Sequence, residues 1–334
     1  MISIFTPTHN PRHLRRLESS LKTQTNQDFE WVIVPNGVSL EGEWHNAKII
    51  PFEASSIGGL KKFACEQAKG DLLVEVDHDD ELFPNALEEV AAAFQKPHVD
   101  FVYSNSCDVR DGKPYRFSDA FGWKYRNVEF NGQQLLETVA FKATPVTLSQ
   151  IWFCPNHIRA WRRSFYEKIG GHSDTFLDDQ DLLCRTYIEG WMDHIDKPLY
   201  VYHIHDDNSF RERAGHTVAA CGTLYDKYIK DMVKRWCELH LLLYTKVEGA
   251  RYYGHWPFRK GEVGAFVLNN PEIPQKKLLK QISRSLADNG WVFLDTTTPW
   301  TRSAVEDMGF VIFRSNINKG RLTIDFMQQQ SHVA

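Results

Sequence analysis

Short apolar runs alternate with amphipathic stretches along the first third of the chain. The apolar runs are about four or five residues long and end at glycine, proline or asparagine, which is typical of buried strands. The predicted strands are Ile2–Phe5, Glu30–Val34, Lys48–Pro51, Leu72–Val76 and Phe101–Ser104, and the predicted helices cover residues 10–23, 58–68 and 84–94. This alternation predicts an α/β fold, with a mostly parallel sheet and helices on both faces.

The pattern changes further along the chain. Residues 107–150 are rich in aromatic side chains and lack a clear period, which suits an irregular segment that faces a substrate. A long helix is predicted from Tyr225 to Leu243, and a stretch rich in glycine, tyrosine and tryptophan follows it. After that come a helix over 274–287, a strand over 291–294, a helix over 301–308 and a strand over 310–313. We therefore predict a first domain over 1–215 and a smaller α/β domain over 216–334.

Composition excludes several classes of protein. The chain has 334 residues, of which 42% are hydrophobic and 13% aromatic, and these values are typical of globular proteins. A formal net charge of −4 gives no general attraction to nucleic acid or to anionic membranes. No apolar stretch approaches the roughly 18 residues that span a bilayer, so we predict no transmembrane anchor. The six cysteines include no C-x-x-C pair, which favours reduced thiols in a cytoplasmic protein.

The segment Val76-Asp77-His78-Asp79-Asp80 places three carboxylates directly after a predicted buried strand. Like charges this close repel one another unless a cation offsets them. Mg²⁺ and Mn²⁺ are the favoured ions, because both prefer carboxylate oxygens and leave positions open for phosphate oxygens. The carboxyl ends of strands are also where open α/β sheets bind ligands. The alternative is a solvated acidic turn without an ion.

Two further clusters contain candidate functional groups. Gly170-Gly171-His172-Ser173-Asp174 is followed by Leu177-Asp178-Asp179-Gln180-Asp181 at the start of a predicted helix. Acidic residues at that position also stabilise a helix as caps, which is the structural alternative. The second cluster is the segment 202–209, in which His205 is either a metal ligand or a surface residue.

The order and spacing of these segments over residues 1–215 resemble the family 2 glycosyltransferases, which have the GT-A fold. Thr6-Pro7-Thr8-His9-Asn10 is similar to the family's P-T-[YH]-N, which holds the nucleotide. Ala68-Lys69-Gly70-Asp71 and the acidic segment resemble A-x-G-[DE]…D-x-D-D, which carries the metal and the sugar diphosphate. Gly170-Gly171 with 178–182 resembles G-G-F…E-D-x-D-L, whose second acidic residue is the base. His205 with Asn208-Ser209 resembles H-x-x-[NS]-S, which lies over the diphosphate.

The resemblance implies an inverting, metal-dependent glycosyltransferase that moves a sugar from a nucleotide-diphosphate donor, first of all a UDP-sugar, to an acceptor hydroxyl. It implies Asp179 as the catalytic base beside Asp178, and Mn²⁺ or Mg²⁺ as the cofactor. The implied metal ligands are Asp77, Asp79, Asp80 and His205. The implied nucleotide-binding residues are Thr6, Pro7, Thr8, His9, Asn10, Asn36, Lys62, Asp77 and Arg211.

The chain departs from the family pattern at three places. The family's V-D-D-G-S, whose aspartate contacts the nucleotide base, reads Val34-Pro35-Asn36-Gly37-Val38, so Asn36 or another group has to make that contact. The A-R-N segment becomes Lys61-Lys62-Phe63, in which Lys62 keeps a positive charge without arginine's planar fork. The Glu-Asp pair at the base becomes Asp178-Asp179.

Two other segments have open interpretations. Arg159, Arg162 and Arg163 flank Trp161 and either bind an anionic acceptor or the diphosphate, or belong to a helix face anchored by the tryptophan. Residues 274–299 weakly resemble the late part of class I methyltransferases, but the glycine-rich cofactor loop is absent. We therefore predict a degenerate accessory domain that positions an acceptor or forms a homo-oligomer contact.

The acceptor and the activity also have alternatives. A glycan or polymer is the first acceptor predicted, and a hydroxymethylated base of viral DNA is the second. A non-catalytic binder of sugar nucleotides or glycans is the alternative from another class of protein.

Overall fold

The computed structural model divides the chain into two compact units, residues 1–229 and 230–334. Helix α6 (Ser209–Leu239) runs through residue 215, the boundary predicted from the sequence. The described residues are 1–118, 122–149, 155–205, 209–248, 259–269, 275–295, 310–318 and 321–329.

The first unit is built around one large mixed sheet. Its strands are β1 (Ile2–Thr8), β2 (Phe29–Pro35), β3 (Ala47–Ile49), β4 (Leu72–Glu75), β5 (Glu81–Leu82), β6 (Phe101–Arg110), β7 (Lys113–Pro114), β8 (Lys124–Phe130), β9 (Gln133–Val139), β10 (Arg159–Arg162) and β11 (Met192–Ile204). The main order is β3-β2-β1-β4-β10-β6-β11-β5. Strands β1 to β4 pair in parallel, as do β6 and β11, whereas β10 is antiparallel to both β4 and β6.

Helices cover both faces of this sheet. The helices are α1 (Leu14–Lys22), α2 (Ile57–Gln67), α3 (Ala86–Ala93), α4 (Arg163–Lys168) and α5 (Asp178–Glu189), in addition to α6. Successive side chains of a strand point to opposite faces. Ile4 of β1 therefore packs in one apolar cluster with Leu17 of α1 and Val90 of α3, whereas the Phe5 ring lies 5.9 Å from His172, just before α5. The predicted α/β fold is confirmed.

The structure excludes one of the two open interpretations of residues 159–163, the helix face, and corrects one prediction for this unit. Residues 159–162 form strand β10, not a helix face, because Trp161 is buried beside Phe101 and its indole N–H donates to Thr186 at 3.2 Å. Residues 159–161 are all buried, so the strand shows no apolar–polar alternation in the sequence. The segment 107–150 contains the antiparallel hairpin of β8 and β9, so it is not irregular throughout.

The second unit is a smaller α/β unit, as predicted. Its elements are β12 (Leu243–Glu248), β13 (Val263–Asn269), α7 (Gln275–Ser285), β14 (Leu286–Asp295), β15 (Phe310–Asn318) and β16 (Arg321–Gln329). The strand order is β12-β13-β14-β16-β15, and β16 is antiparallel to both of its neighbours, β14 and β15. The predicted helix over 301–308 lies outside the described residues, and the methyltransferase-like character stays a prediction.

Within the described residues, none of the helices combines the length and the apolar character that a membrane-spanning segment requires.

Glycine at position 58 is required by the contact between α2 and the segment that leads into α5. A Cβ built on Gly58 would lie 1.9 Å from the Ser173 carbonyl oxygen and 2.7 Å from the Asp178 Cβ. We expect Gly58→Ala to lower the free energy of unfolding by about 1–3 kcal/mol, because backbone has to move to admit the methyl group. Denaturant unfolding of the full chain measures this change.

Gly222→Ala, in α6, is the matched control. A Cβ there meets no atom within 4 Å, so a more rigid helix and a stability equal to or about 0.5–1 kcal/mol above that of the wild type are expected. Equal stability of the two variants would show that α2 and the 173–178 segment do not require this close approach.

Candidate active site

The acidic segment begins where strand β4 ends, at the edge where the parallel strands β1 and β2 also end. Asp80 is fully buried there, and it accepts hydrogen bonds from the Tyr200 hydroxyl at 2.7 Å and from the His203 N–H at 2.8 Å. Burial and the neighbouring Asp79 raise the pKa of Asp80 well above its usual value. Both oxygens of Asp80 therefore accept hydrogen bonds that hold the turn against β11, and its role as a metal ligand stays a prediction.

Asp79 and His205 meet although 126 positions separate them in the sequence. The His205 Nε2 lies 2.6 Å from an Asp79 carboxylate oxygen, and the His13 ring lies 5.4 Å from the His205 ring. The Arg16 guanidinium donates to the Asp79 carbonyl, which ties the turn to helix α1. A carboxylate oxygen and an imidazole nitrogen at the end of a strand fit a divalent ion of the Mn²⁺ type.

Asp77 is the most accessible carboxylate that follows β4, with 35% of its side chain exposed. Its Oδ2 lies 3.4 Å from the Nε2 of the buried His157. Possible ligand atoms of Glu75, Asp77 and His157 lie within 4.8 Å of one another, the one such cluster within the described residues. Glu75 is already neutralised by the Lys61 ammonium at 2.5 Å and the Arg159 guanidinium at 3.8 Å, so this cluster is less suited to a cation than Asp79 and His205.

The two acids at the start of α5 differ in their surroundings. Asp178 is buried, with the Lys61 Nζ at 3.8 Å and the His172 Nε2 at 3.9 Å. Burial raises the pKa of Asp178 to about 7, although Lys61 opposes the rise. The Asp179 side chain is 29% exposed and receives a hydrogen bond from the Arg159 Nη1 at 3.1 Å. Burial alone would raise the pKa of Asp179, but Arg159 and Lys61 lower it below its usual value. Asp179 is therefore the more acidic member of the pair.

The predicted nucleotide-binding segment at the end of β1 is partly structural. The buried Thr6 hydroxyl donates to the Val76 carbonyl and accepts from the Trp31 indole N–H, each at 2.9 Å. The buried Thr8 hydroxyl accepts from the Asn10 N–H at 3.2 Å. These threonines therefore fix the backbone beside the acidic turn.

The remaining residues of this segment lie nearer to the surface. Pro7 is half-buried. The Asn10 side chain accepts from the Arg12 N–H and so caps the short 3₁₀ helix Pro11–His13, which precedes α1. His9 is exposed, and its ring lies 5.3 Å from that of His78 in the acidic turn. Of this segment, His9 is the side chain best placed to meet a ligand at the sheet edge.

Three other predicted binding residues have different placements. Asn36 follows β2 beside β1, where its N–H donates to the Thr8 carbonyl at 2.8 Å and its side-chain amide lies 3.4 Å from the Ala54 carbonyl. Lys62 is exposed on α2, and the structure does not bring it to the acidic groups. The lysine that reaches them is the preceding residue, Lys61. The side chain of Arg211 lies outside the described residues.

Sequence reasoning missed the buried groups that connect these acids. The family pattern points to the exposed Lys62 and not to the buried Lys61, and Glu75 lies within a stretch that is otherwise apolar. A charged residue in a buried strand is itself a signal, because a buried charge requires a partner. The identity of the partners depends on the pairing of β4 with β10, which places Arg159 opposite Glu75.

Comparison with known proteins gives one family and several distant relatives. The model of the family "Glycosyl transferase family 2" matches residues 3–170. The O-antigen biosynthesis protein RfbC of Myxococcus xanthus is 26% identical over 219 residues, which are 60% of this chain and 16% of that protein. The chain thus spans about a sixth of the length of this relative.

Solved glycosyltransferase structures are more distant in sequence. The S. aureus TarS 1–349 structure in complex with UDP-GlcNAc has a TM-score of 0.49 and 16% identity, over 71% of this chain and 72% of that chain. The GalNAc-T7 structure with UDP, GalNAc and Mn²⁺ has a TM-score of 0.46 and 13% identity, over 62% of this chain and 44% of that chain.

The family model covers half of the chain, from β1 through the segment that follows α4, and it includes the whole acidic turn. The predicted family is confirmed. This chain belongs to glycosyl transferase family 2.

Proposed function

We propose that this chain is an inverting, metal-dependent glycosyltransferase that moves a sugar from a UDP-sugar to a hydroxyl group of a glycan or polymer. One observation carries the proposal: a continuous set of contacts links the candidate base to the acidic turn. Asp179 contacts Arg159, Arg159 contacts Glu75, and Glu75 lies in the cluster that contains Asp77. The ionised Asp179 and the acidic turn therefore belong to one site.

The donor side of the reaction is assigned to Asp77, Asp79 and His205. A divalent ion bound by Asp79 and His205 would offset the negative charge that develops on the nucleoside diphosphate as it leaves. Asp80 is left out of the ligand set because Tyr200 and His203 occupy its oxygens. His9 and Asn36 lie at the same edge of the sheet and are the residues that we assign to the nucleoside.

The acceptor side is assigned to Asp179. The acceptor oxygen forms a bond to the anomeric carbon while the bond from that carbon to the diphosphate oxygen breaks, and the hydroxyl proton moves to the Asp179 carboxylate. Attack from the face opposite the leaving group inverts the anomeric centre. A partly exposed, ionised carboxylate suits this role, whereas the buried Asp178 carries a proton through much of the acidic range.

A glycan acceptor is favoured over DNA. The relative from Myxococcus xanthus is named for O-antigen biosynthesis, which supports an acceptor of the polysaccharide type. The formal net charge of −4 gives no comparable support for a polyanionic acceptor.

The role of Asp179 as the base predicts a separation of binding from turnover. Asp179→Asn should bind UDP as the wild type does and lose about 10²–10⁴-fold in kcat, because a positioned base contributes that much. UDP release from a panel of UDP-sugars, with water as the acceptor, measures kcat, and calorimetry with UDP measures binding.

Glu189→Gln, at the other end of α5, is the matched control for this loss of one carboxylate. Its side chain is 54% exposed, and its carboxylate lies 3.8 Å from the Lys168 ammonium, so wild-type turnover is expected. Full turnover by Asp179→Asn would remove Asp179 from the role of base.

The assignment of the metal ligands predicts a loss of metal-dependent nucleotide binding. Asp79→Ala and His205→Ala should each weaken UDP binding in the presence of Mn²⁺ by tenfold or more, on the order of the loss for a disturbed metal site. Calorimetric titration with UDP, with Mn²⁺ and with a chelator, gives the comparison.

Asp71→Asn provides the control for these two substitutions, because this carboxylate is 87% exposed and lies 3.5 Å from the amino group of Met1. An Asp79→Ala variant that still gains UDP affinity from Mn²⁺ as the wild type does would place the ion elsewhere.

A further inference from the structure

Five charged side chains from four elements lie together beneath the candidate active site. We call this group the buried charge network, and it consists of Lys61 of α2, Glu75 of β4, Arg159 of β10, and Asp178 and Asp179 of α5. Lys61 lies 2.5 Å from Glu75 and 3.8 Å from Asp178, and Arg159 lies 3.8 Å from Glu75 and 3.1 Å from Asp179. The two cations therefore join the three carboxylates into one set.

The network has one carboxyl group more than it has cations. Glu75 is the best served, because both cations contact it, and they lower its pKa despite its burial. Asp179 has the closer contact with Arg159. Of the two cations of the network, Lys61 is the one that contacts Asp178, at 3.8 Å, and Asp178 is the acid whose pKa rises. When Asp178 carries a proton, the two cations are balanced by the two negative charges of Glu75 and Asp179. Asp179 is the more exposed of these two charged acids.

The position of Arg159 is fixed from several sides. Its side chain is 6% exposed, and its Nε donates to the Pro155 carbonyl at 2.9 Å while its Nη1 donates to Asp179. The register of β10 sets its backbone between Glu75 of β4 and Tyr103 of β6. A planar guanidinium that donates from two of its nitrogens, Nε and Nη1, has little freedom to turn away. A diphosphate would have to displace these contacts to reach it.

We propose that Arg159 is the positioning residue for the candidate base: it holds the Asp179 carboxylate in one orientation, and Glu75, which also pairs with Lys61, holds Arg159. The inference rests on the proposed function, in which Asp179 removes the acceptor proton. Arg159 acts through Asp179 and touches neither the donor nor the acceptor.

The charged groups that face Asp179 determine the pH dependence. They are Arg159 and Lys61, which lower its pKa, Glu75, which raises it, the adjacent Asp178, and His172, which precedes α5. Burial lowers the pKa of His172 to about 3, so it stays neutral between pH 5 and pH 8. Turnover requires ionised Asp179 and falls when the pH drops below its pKa. Because Arg159 lowers that pKa, its loss moves the fall in turnover to higher pH.

The test compares pH profiles of kcat for UDP release by the full chain, with water as the acceptor, between pH 5 and pH 8.5. Arg159→Gln should lose about 10–100-fold in kcat, because the base loses its orientation, and should keep the KM for the donor within about twofold. Its acid limb should move up by about 1–3 pH units, the usual effect of one adjacent cation on a carboxyl group. Arg159→Lys should restore most of the position of that limb, since the charge is kept.

Arg162→Gln is the control on the same strand, because Arg162 donates to the Val99 and Phe94 carbonyls and not to an acid of the site. It should keep the wild-type profile, including any limb that Asp178 contributes. If Arg159→Gln does not fold, the pH profiles of Arg159→Lys and of the wild type still test the proposal. The proposal is contradicted if the wild type has an acid limb above about pH 5.5 and the Asp178→Asn variant keeps that limb.

Two other outcomes also overturn it, and they leave the proposed function intact if Asp179→Asn is inactive. An unchanged acid limb in Arg159→Gln would show that Arg159 does not control the ionisation of Asp179. A raised donor KM with an unchanged kcat would show that Arg159 binds the diphosphate. A fully active Asp179→Asn would instead refute the assignment of the base itself.

Discussion

The ion pair between Lys61 and Glu75 is the constraint on which the rest of the site depends. Glu75 lies at the end of the central strand β4 and is fully buried, so its charge cannot be solvated by water. The Lys61 ammonium at 2.5 Å and the Arg159 guanidinium at 3.8 Å replace that solvation. Removal of one partner of a buried pair typically costs about 3–5 kcal/mol. The pairing therefore fixes α2 and β10 to β4 and sets the positions from which the acids of α5 are held.

The acids of this region differ in burial. Three of the acids are buried. Asp80 contacts Tyr200, Glu75 contacts the two cations of the network, and Asp178 contacts His172. Asp77 and Asp179 are about one third exposed, so they can meet a ligand while the buried acids fix their surroundings. Each of the two exposed carboxylates lies next to a buried side chain, Asp77 beside His157 and Asp179 beside Arg159.

The order of the strands brings these groups to one edge. Strands β1, β2 and β4 are parallel and end together, so His9, Asn36 and Asp77 share that edge, where open α/β sheets bind ligands. Strand β10 runs the opposite way between β4 and β6, and it inserts Arg159 and Trp161 into the layer that α5 covers. An antiparallel strand in a parallel region is thus the element that connects strand β4, which leads into the acidic turn, to Asp179.

The sequence by itself determined the α/β class, most of the strands of the first hundred residues, the place of the acidic turn and the family. These features depend on local patterns: apolar runs, helix starts, and motifs whose members lie a few residues apart. Only the tertiary structure decided that His205 meets Asp79, that Lys61 and not Lys62 reaches the acids, that Asp80 supports the turn, and that Arg159 contacts Asp179. The reason is physical, since the charge state and the role of an acid depend on burial and on cations within about 4 Å, and those partners come from distant strands and helices.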